Sequence, residues 1–422
     1  MSISKLRLCY FLFLALVSSF SVDAAPVQLG VDRLFTPQYE KVLRGKQIGL
    51  ITNHTAVNIQ NQSTINLIKK NAANGGYKLK ALFAPEHGLT GNQYASEDVQ
   101  NSKDIDGIPI YSLHGVTRRP TATMLKNITL LIYDIQDIGS RSYTYITTLF
   151  YVMEEAAKLK IPVIVLDRPN PINGLVVDGP MLNEKLRSMV GYINIPYCHG
   201  MTIGELARYF NSEYRIGCSL TVVPMNGWKR NMTFQDTQLR WIPTSPQIPE
   251  SNTSFYYPMT GLLGELQLVN IGVGYTLPFK VVGAPWIKAT ELAQNLNNQK
   301  SPGVHFHPFY FRPFFGRYAH ENCEGVLISI TNPLIYQPVS TQFLMIGTLK
   351  NLYPKAFQKA FQLDKDKIEM FNKLSGTTEV YRVIKDEKFI TWTLKALDQK
   401  ERAAFIEKRK KYLLPEYELI QE

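Results

Sequence analysis

The sequence predicts an α/β protein, with a parallel sheet that is doubly wound or close to it, followed by a smaller α+β domain. Three observations lead there. Short apolar runs rich in Val, Ile and Leu alternate with longer helical stretches between about residues 45 and 225, the pattern of parallel strands joined by crossover helices. A stretch rich in Pro, Ser, Thr and Asn at 244–258 interrupts that alternation, and the pattern beyond 285 is mixed. The length of 422 residues accommodates two domains of ordinary size.

Taken in order, strands are expected at 47–52, 77–83, 128–133, 162–166 and 220–223, with helices at 63–73, 143–159 and 203–214. Thr202-Ile-Gly-Glu205 has capping-box spacing, so Glu205 reads as structural. The segment 244–258 reads as irregular, and the glycine-rich 261–283 as a loop whose backbone approaches something closely. Beyond it, helices are expected at 290–298, 341–352 and 401–412, and strands at 304–309 and 325–331.

The amino terminus reads as a cleavable signal peptide. Lys5 and Arg7 precede an apolar core at 8–17, and Val22-Asp23-Ala24 supplies a small-residue cleavage site. Residues 1–24 are then the leader, 25–243 the first domain and 244–422 the second, in an exported protein, periplasmic or secreted. The remainder has no apolar run near the roughly 20 residues of a spanning helix. The formal charge of +11 is spread along the chain, which argues against nucleic-acid binding and suits an anionic envelope polymer. Cys198, Cys218 and Cys323 remain after the leader; this odd set without a CxxC reads as buried thiols, with a single bridge as the alternative. No GxGxxG follows the first strand and no HExxH occurs, so neither a dinucleotide nor a metal is expected, and no cofactor. His305 and His307 share a strand face and would bind metal only with a third ligand.

Chemistry gathers beyond the carboxyl ends of four strands, at Asn53 and His54, Glu86 and His87, 134–141 and 167–170. Ligands of open α/β sheets bind at that edge. Pro85 and Gly88 bracket a turn that can present Glu86, and a carboxyl desolvated in a cleft is fitted to protonate a leaving group. His87 can orient Glu86 or bind substrate. Gln136, Asp137, Arg141 and Tyr143 crowd one strand-to-helix junction and suit either loop bracing or a sugar with hydroxyls around an apolar face. Asn170, held between Pro169 and Pro171, is a stiff turn or an acetamido and hydroxyl reader. His199 precedes Gly200 at a helix start and is a further site candidate, whereas His114 and His320 carry no signal.

Gly49-Leu-Ile-Thr-Asn53-His-Thr, Ala84-Pro-Glu86-His87-Gly88, Asp134-Ile-Gln-Asp137-Ile-Gly-Ser-Arg141-Ser-Tyr143-Thr-Tyr145 and Asp167-Arg-Pro-Asn170-Pro-Ile-Asn173-Gly174 occur in this order. His199-Gly-Met-Thr-Ile-Gly-Glu205-Leu, Ser245-Pro-Gln-Ile-Pro249 and Arg409-Lys-Lys-Tyr412-Leu-Leu follow. Together they resemble the exo-β-N-acetylmuramidase family of peptidoglycan hydrolases over most of the chain. The resemblance implies a Rossmann-like amino-terminal domain, a smaller carboxy-terminal domain and an active-site cleft between them. It also implies release of N-acetylmuramic acid from the non-reducing ends of glycan strands, with the catalytic glutamate at Glu86.

Asp137 or Glu265 would be the second carboxylate, unless the substrate's own acetamido group serves. The expected substrate-binding set is Asn53, Gln136, Arg141, Tyr143, Asn170, His199 and Glu265, with Arg141 suited to the lactyl carboxylate. The chain departs from the family pattern after Glu265, where Leu266, Gln267, Leu268 and Val273 replace Gly, Thr, Asn and Arg. A glycan-binding protein impaired in turnover is the alternative reading. The sequence leaves the oligomeric state open.

Overall fold

The computed structural model describes residues 25–94, 97–98 and 100–418, so the expected leader at 1–24 lies outside the described residues. Strands β1 (Gln47–Thr52), β2 (Lys78–Ala84), β3 (Ser102–Lys103), β4 (Pro109–Ser112), β5 (Leu130–Asp134), β6 (Val163–Leu166) and β7 (Leu220–Val223) form one sheet. Its order is β3-β4-β2-β1-β5-β6-β7. All pairs are parallel except the edge pair of β3 with β4. The chain moves from β1 outward through β2 to β4, returns to the other side of β1 as β5, and continues through β6 to β7. This is the Rossmann order, and its switch point lies between β1 and β5.

Burial on both faces explains why these strands read as continuous apolar runs. Ile48, Leu50, Leu82, Ile132, Ile164 and Leu166 face one core, while Ile51, Phe83, Leu131, Tyr133, Val163 and Val165 face the other. Helix α1 (Thr64–Gly75) covers the first face through Ile68. Helices α2 (Tyr145–Lys158) and α3 (Ile203–Glu213) cover the second through Leu149, Met153, Leu206 and Phe210. Gly49 sits mid-sheet because a Cβ there would come within 2.8 Å of Leu131 and 2.9 Å of Phe83. The capping box of α3 forms as its spacing requires, and Glu205 also pairs with buried Arg230.

The second part differs from expectation in one place that matters for function. Helix α4 (Thr253–Glu265) occupies what reads as an irregular stretch and a glycine loop. Pro258 lies inside it; the lost backbone bond is offset by burial of Phe255, Met259, Leu262 and Leu263. Strands β8 (Val281–Ala284), β9 (Val304–Phe311) and β10 (Cys323–Ile330) form an antiparallel sheet in the order β8-β10-β9. Helix α5 (Ala289–Asn298) packs on this sheet, α6 (Pro338–Leu352) packs on α5 and α4, and α7 (Lys365–Ser375) packs on α4. The closing helix runs over Gln399–Arg409.

After that helix the chain returns to the first sheet. Tyr417 is fully buried against Trp228, and its hydroxyl donates to Asp167 at 2.6 Å. Cys198, Cys218 and Cys323 are buried and free.

Candidate active site

At the end of β2 the chain turns at once, with the Gly88 amide donating to the Pro85 carbonyl at 3.0 Å. His87 takes φ 69° within this turn, a left-handed backbone uncommon outside glycine and concentrated at functional sites. The His87 Nδ1–H donates to the Gln93 carbonyl at 2.7 Å. Glu86 is buried at the sheet edge, and its Oε2 accepts a bond from the Thr144 hydroxyl at 2.6 Å. His114 Nε2 stands 3.7 Å from Oε1 on the other side. Burial lowers the pKa of His114 more than the neighbouring Glu86 raises it, so the ring is neutral at pH 7.

Glu86 and His87 open into a cavity of about 770 Å³ where the sheet edge meets the second part of the chain, a size within the range of small-ligand clefts. Ser142, Tyr143 and Thr144 at the start of α2 form one wall. Tyr257, Gly261 and Glu265 of α4 form the facing wall, and Gln267, Val273 and Arg317 reach it from adjoining loops. Ser142 ties the walls together: its hydroxyl donates to Tyr197 at 2.8 Å and lies 3.2 Å from the Tyr257 hydroxyl. Desolvation pushes the Tyr257 pKa to about 12, against the opposing Ser142 bond, and Glu265, Glu86 and Asp137 all add to the rise. Tyr257 therefore remains an O–H donor among three acids.

Glu265 has solvent on one side, yet the cavity walls desolvate its carboxyl enough to raise its pKa. It sits at the carboxyl end of α4, where the helix dipole also disfavours negative charge. Tyr143, on the α2 side of the cavity, donates its hydroxyl to Thr244 Oγ1 at 2.9 Å. Glu86, His87, Tyr143 and Glu265 are thus the sequence-predicted residues that the fold brings to one cavity.

The remaining expected residues are placed elsewhere. Arg141 is not a cavity-lining residue: its guanidinium donates to the carbonyls of Pro180, Ile195, Leu374 and Ser375 at 2.7, 2.8, 3.2 and 2.8 Å. Desolvation lowers its pKa to about 10, which leaves it charged at neutral pH. Gly376 makes room for it, since a Cβ there would stand 2.4 Å from Nη2. Of the two readings of Arg141, bracing is the one its contacts describe.

Gln136 donates to the Asp137 and Pro169 carbonyls and lines a separate recess of about 20 Å³ with Arg168 and Trp241. Asp137 accepts the Gly139 amide at 2.7 Å, and desolvation pushes its pKa up to about 7. Asn53 accepts from the amide and hydroxyl of Thr55. Asn170 donates to the Met201 carbonyl at 3.0 Å and packs against Gly139. His199 is fully buried, accepts the Met201 amide at Nδ1, and is held neutral by desolvation and by Arg409 and Arg141.

Sequence reasoning missed His114, Thr144, Tyr257 and Arg317. His114 follows β4, a strand too short to leave a periodic signal. Tyr257 lies one residue before Pro258, in a segment that composition marks as irregular. Among the described residues, no group of three His, Cys, Asp or Glu side chains is placed to hold a metal ion, and His305 and His307 face each other alone at 4.7 Å.

Comparison with known proteins matches this architecture along nearly its whole length. The family model for the exo-beta-N-acetylmuramidase NamZ N-terminal region covers residues 48–252, and the corresponding C-terminal model covers 255–414. The peptidoglycan beta-N-acetylmuramidase NamZ of Bacillus subtilis (strain 168) is 42% identical over 393 residues, covering 92% of this chain and 91% of its own. A DUF1343 family protein from Bacteroides fragilis NCTC 9343 is 40% identical with a TM-score of 0.85, covering 92% of this chain and 99% of its own. A second DUF1343 family protein from that organism is 28% identical with a TM-score of 0.72, covering 93% and 99%. A strand-end glutamate in a deep cleft, carried on a chain matched by both halves of one family, leads to one assignment: the chain belongs to the exo-β-N-acetylmuramidase NamZ family and is a glycosidase.

Proposed function

We propose that this protein is an exported exo-β-N-acetylmuramidase that releases N-acetylmuramic acid from the non-reducing ends of peptidoglycan fragments. The observation that carries the reading is the placement of Glu86 and Glu265 on one cavity, in a chain closely similar to a peptidoglycan β-N-acetylmuramidase. Glu86 acts as general acid, passing its proton to the glycosidic oxygen as the bond to the anomeric carbon breaks. Thr144 holds its carboxyl in place, with the His114 ring packed beside it. Glu265 is the second carboxylate, because it shares the cavity whereas Asp137 does not line it. Tyr257 lines the same cavity and stays protonated.

Inversion at the anomeric carbon would make Glu265 a base for the attacking water. Retention would make it a nucleophile, or give that role to the substrate's acetamido group. Export rests on the charge and apolar pattern of residues 1–24.

The binding-only alternative draws on the altered stretch after Glu265. Leu266 and Leu268 are core residues, and only Gln267 and Val273 of the four substitutions reach the cavity. The departure therefore bears on specificity and leaves the carboxylates in place. Release of aglycone from a chromogenic N-acetylmuramide, followed by proton NMR of the fresh anomer, tests the proposal. Absence of release by the native protein would refute it.

A further inference from the structure

Muramic acid brings a lactyl carboxylate into a cavity that already holds Glu86 and Glu265. Glu86 is protonated as the general acid, but an ionised Glu265 repels a second carboxylate in a partly desolvated site, so a nearby cation favours productive binding of the anionic sugar. Arg141 does not supply it, because its guanidinium is committed to backbone carbonyls. Among the described residues, Arg317 is the one Lys or Arg that lines the cavity. We propose that Arg317 reads the lactyl carboxylate and so sets the preference for muramic acid over N-acetylglucosamine; this rests on the muramidase reading above.

The backbone around Arg317 is stapled to the cavity wall. Asn270 Nδ2 donates to the Arg317 carbonyl at 2.9 Å and to the Val273 carbonyl at 3.2 Å, so one amide holds positions 273 and 317 side by side. The Phe314 amide donates to the Gly274 carbonyl at 2.7 Å and adds a second tie. Position 273 is where the family resemblance leads one to expect arginine and where this chain has Val. Arg317 thus delivers a guanidinium from the neighbouring loop to the place where position 273 lacks one.

The side chain is exposed and rests on a neighbouring ring. Its guanidinium lies over the Tyr318 ring at 4.6 Å, with Nη2 3.5 Å from the Tyr318 hydroxyl. That ring is itself fixed, its hydroxyl donating to the Leu268 carbonyl at 3.1 Å and accepting from Trp286 Nε1 at 2.9 Å. Among the described residues, no carboxylate within ion-pair distance of Arg317 competes for its donors. A planar guanidinium matches a carboxylate with two parallel N–H donors.

The test uses three substrates with one chromogenic aglycone: the N-acetylmuramide acid, its lactyl amide, and the N-acetylglucosaminide. In Arg317→Gln the ratio of kcat/KM for acid over amide should fall by about tenfold or more, chiefly through KM, and Arg317→Lys should recover part of it. An acid-to-amide ratio in Arg317→Gln equal to the native one would overturn the assignment. Calorimetric binding of N-acetylmuramic acid and its amide to the native and Arg317→Gln proteins reads the same ratio without turnover. A native protein that binds but never cleaves would therefore refute the muramidase reading alone, and equal binding ratios would refute Arg317 alone.

Discussion

The Thr144 hydroxyl donates to Glu86 Oε2 across 2.6 Å, joining the start of α2 to the end of β2. Thr144 occupies the N-cap position of α2, yet its side chain makes no capping bond to that helix. The hydroxyl serves the carboxylate instead, so helix placement and carboxylate orientation are coupled through one atom.

Glu86→Gln keeps the acceptor for Thr144 and removes the transferable proton. The expected result is a fall of about 10²- to 10⁴-fold in kcat on a chromogenic muramide. Release at the native rate would exclude Glu86 as the general acid.

Arg141→Met leaves four carbonyl acceptors buried without their cationic donor. The expected loss is about 3 kcal/mol or more in urea unfolding. Arg141→Lys should not restore it, because one ammonium cannot reproduce a planar fork that reaches carbonyls on separate segments. A native urea midpoint in either variant would show that these bonds do not brace the molecule.

Asp137 titrates at about 7 in the folded protein, raised by desolvation against the opposing Gly139 and Ile138 amides. An unperturbed aspartate titrates near 3.8, so between those values the folded state holds the proton more tightly than the unfolded state. This contribution is fully present below pH 3.8 and is lost as pH rises through about 7. Fully buried His199, lowered to about 3, works in the opposite sense: its contribution is present above 6.5 and is lost as pH falls toward 3. The difference between native and Asp137→Asn isolates the first effect. The variant should lack a downward slope of at most about 1.4 kcal/mol per pH unit within that window. Parallel stability curves across pH 4 to 7, read by urea titration at each pH, would contradict the buried neutral carboxyl.

Val273→Arg adds a second guanidinium beside Arg317 on the cavity wall. The preference for muramide over glucosaminide should rise above that of the native protein, by roughly 10- to 150-fold where a new charged hydrogen bond forms. An unchanged preference would show that position 273 does not face the lactyl group.

Strands β1 and β7 run over the residues that their composition marks, because sheet burial leaves a local trace in every residue of a short apolar run. Glu86 was legible for a related reason: Pro85 and Gly88 announce a turn just past a strand, and parallel sheets bind ligands there. Helix α4 was not legible. Its Pro258 and flanking polar residues speak for a loop, and only burial against the second core outweighs that local preference.

By itself, the sequence determined the alternation of strands β1, β2, β5, β6 and β7 with helices, though not the short parallel strand β4, together with the strand-end position of Glu86 and, through its ordered motifs, the family. Tertiary structure alone decided which polar residues meet in the cavity. Arg141 and Arg317 are both arginines near polar neighbours in the chain, and nothing local distinguishes their tasks. Arg141 is buried because Leu374 and Ser375, 233 and 234 residues away, bring carbonyls to it. Arg317 reaches the cavity because Asn270 draws its loop to the wall. Periodicity records which face of an element is covered, whereas the partner of a charged side chain is set by distant segments that meet only when the chain has folded.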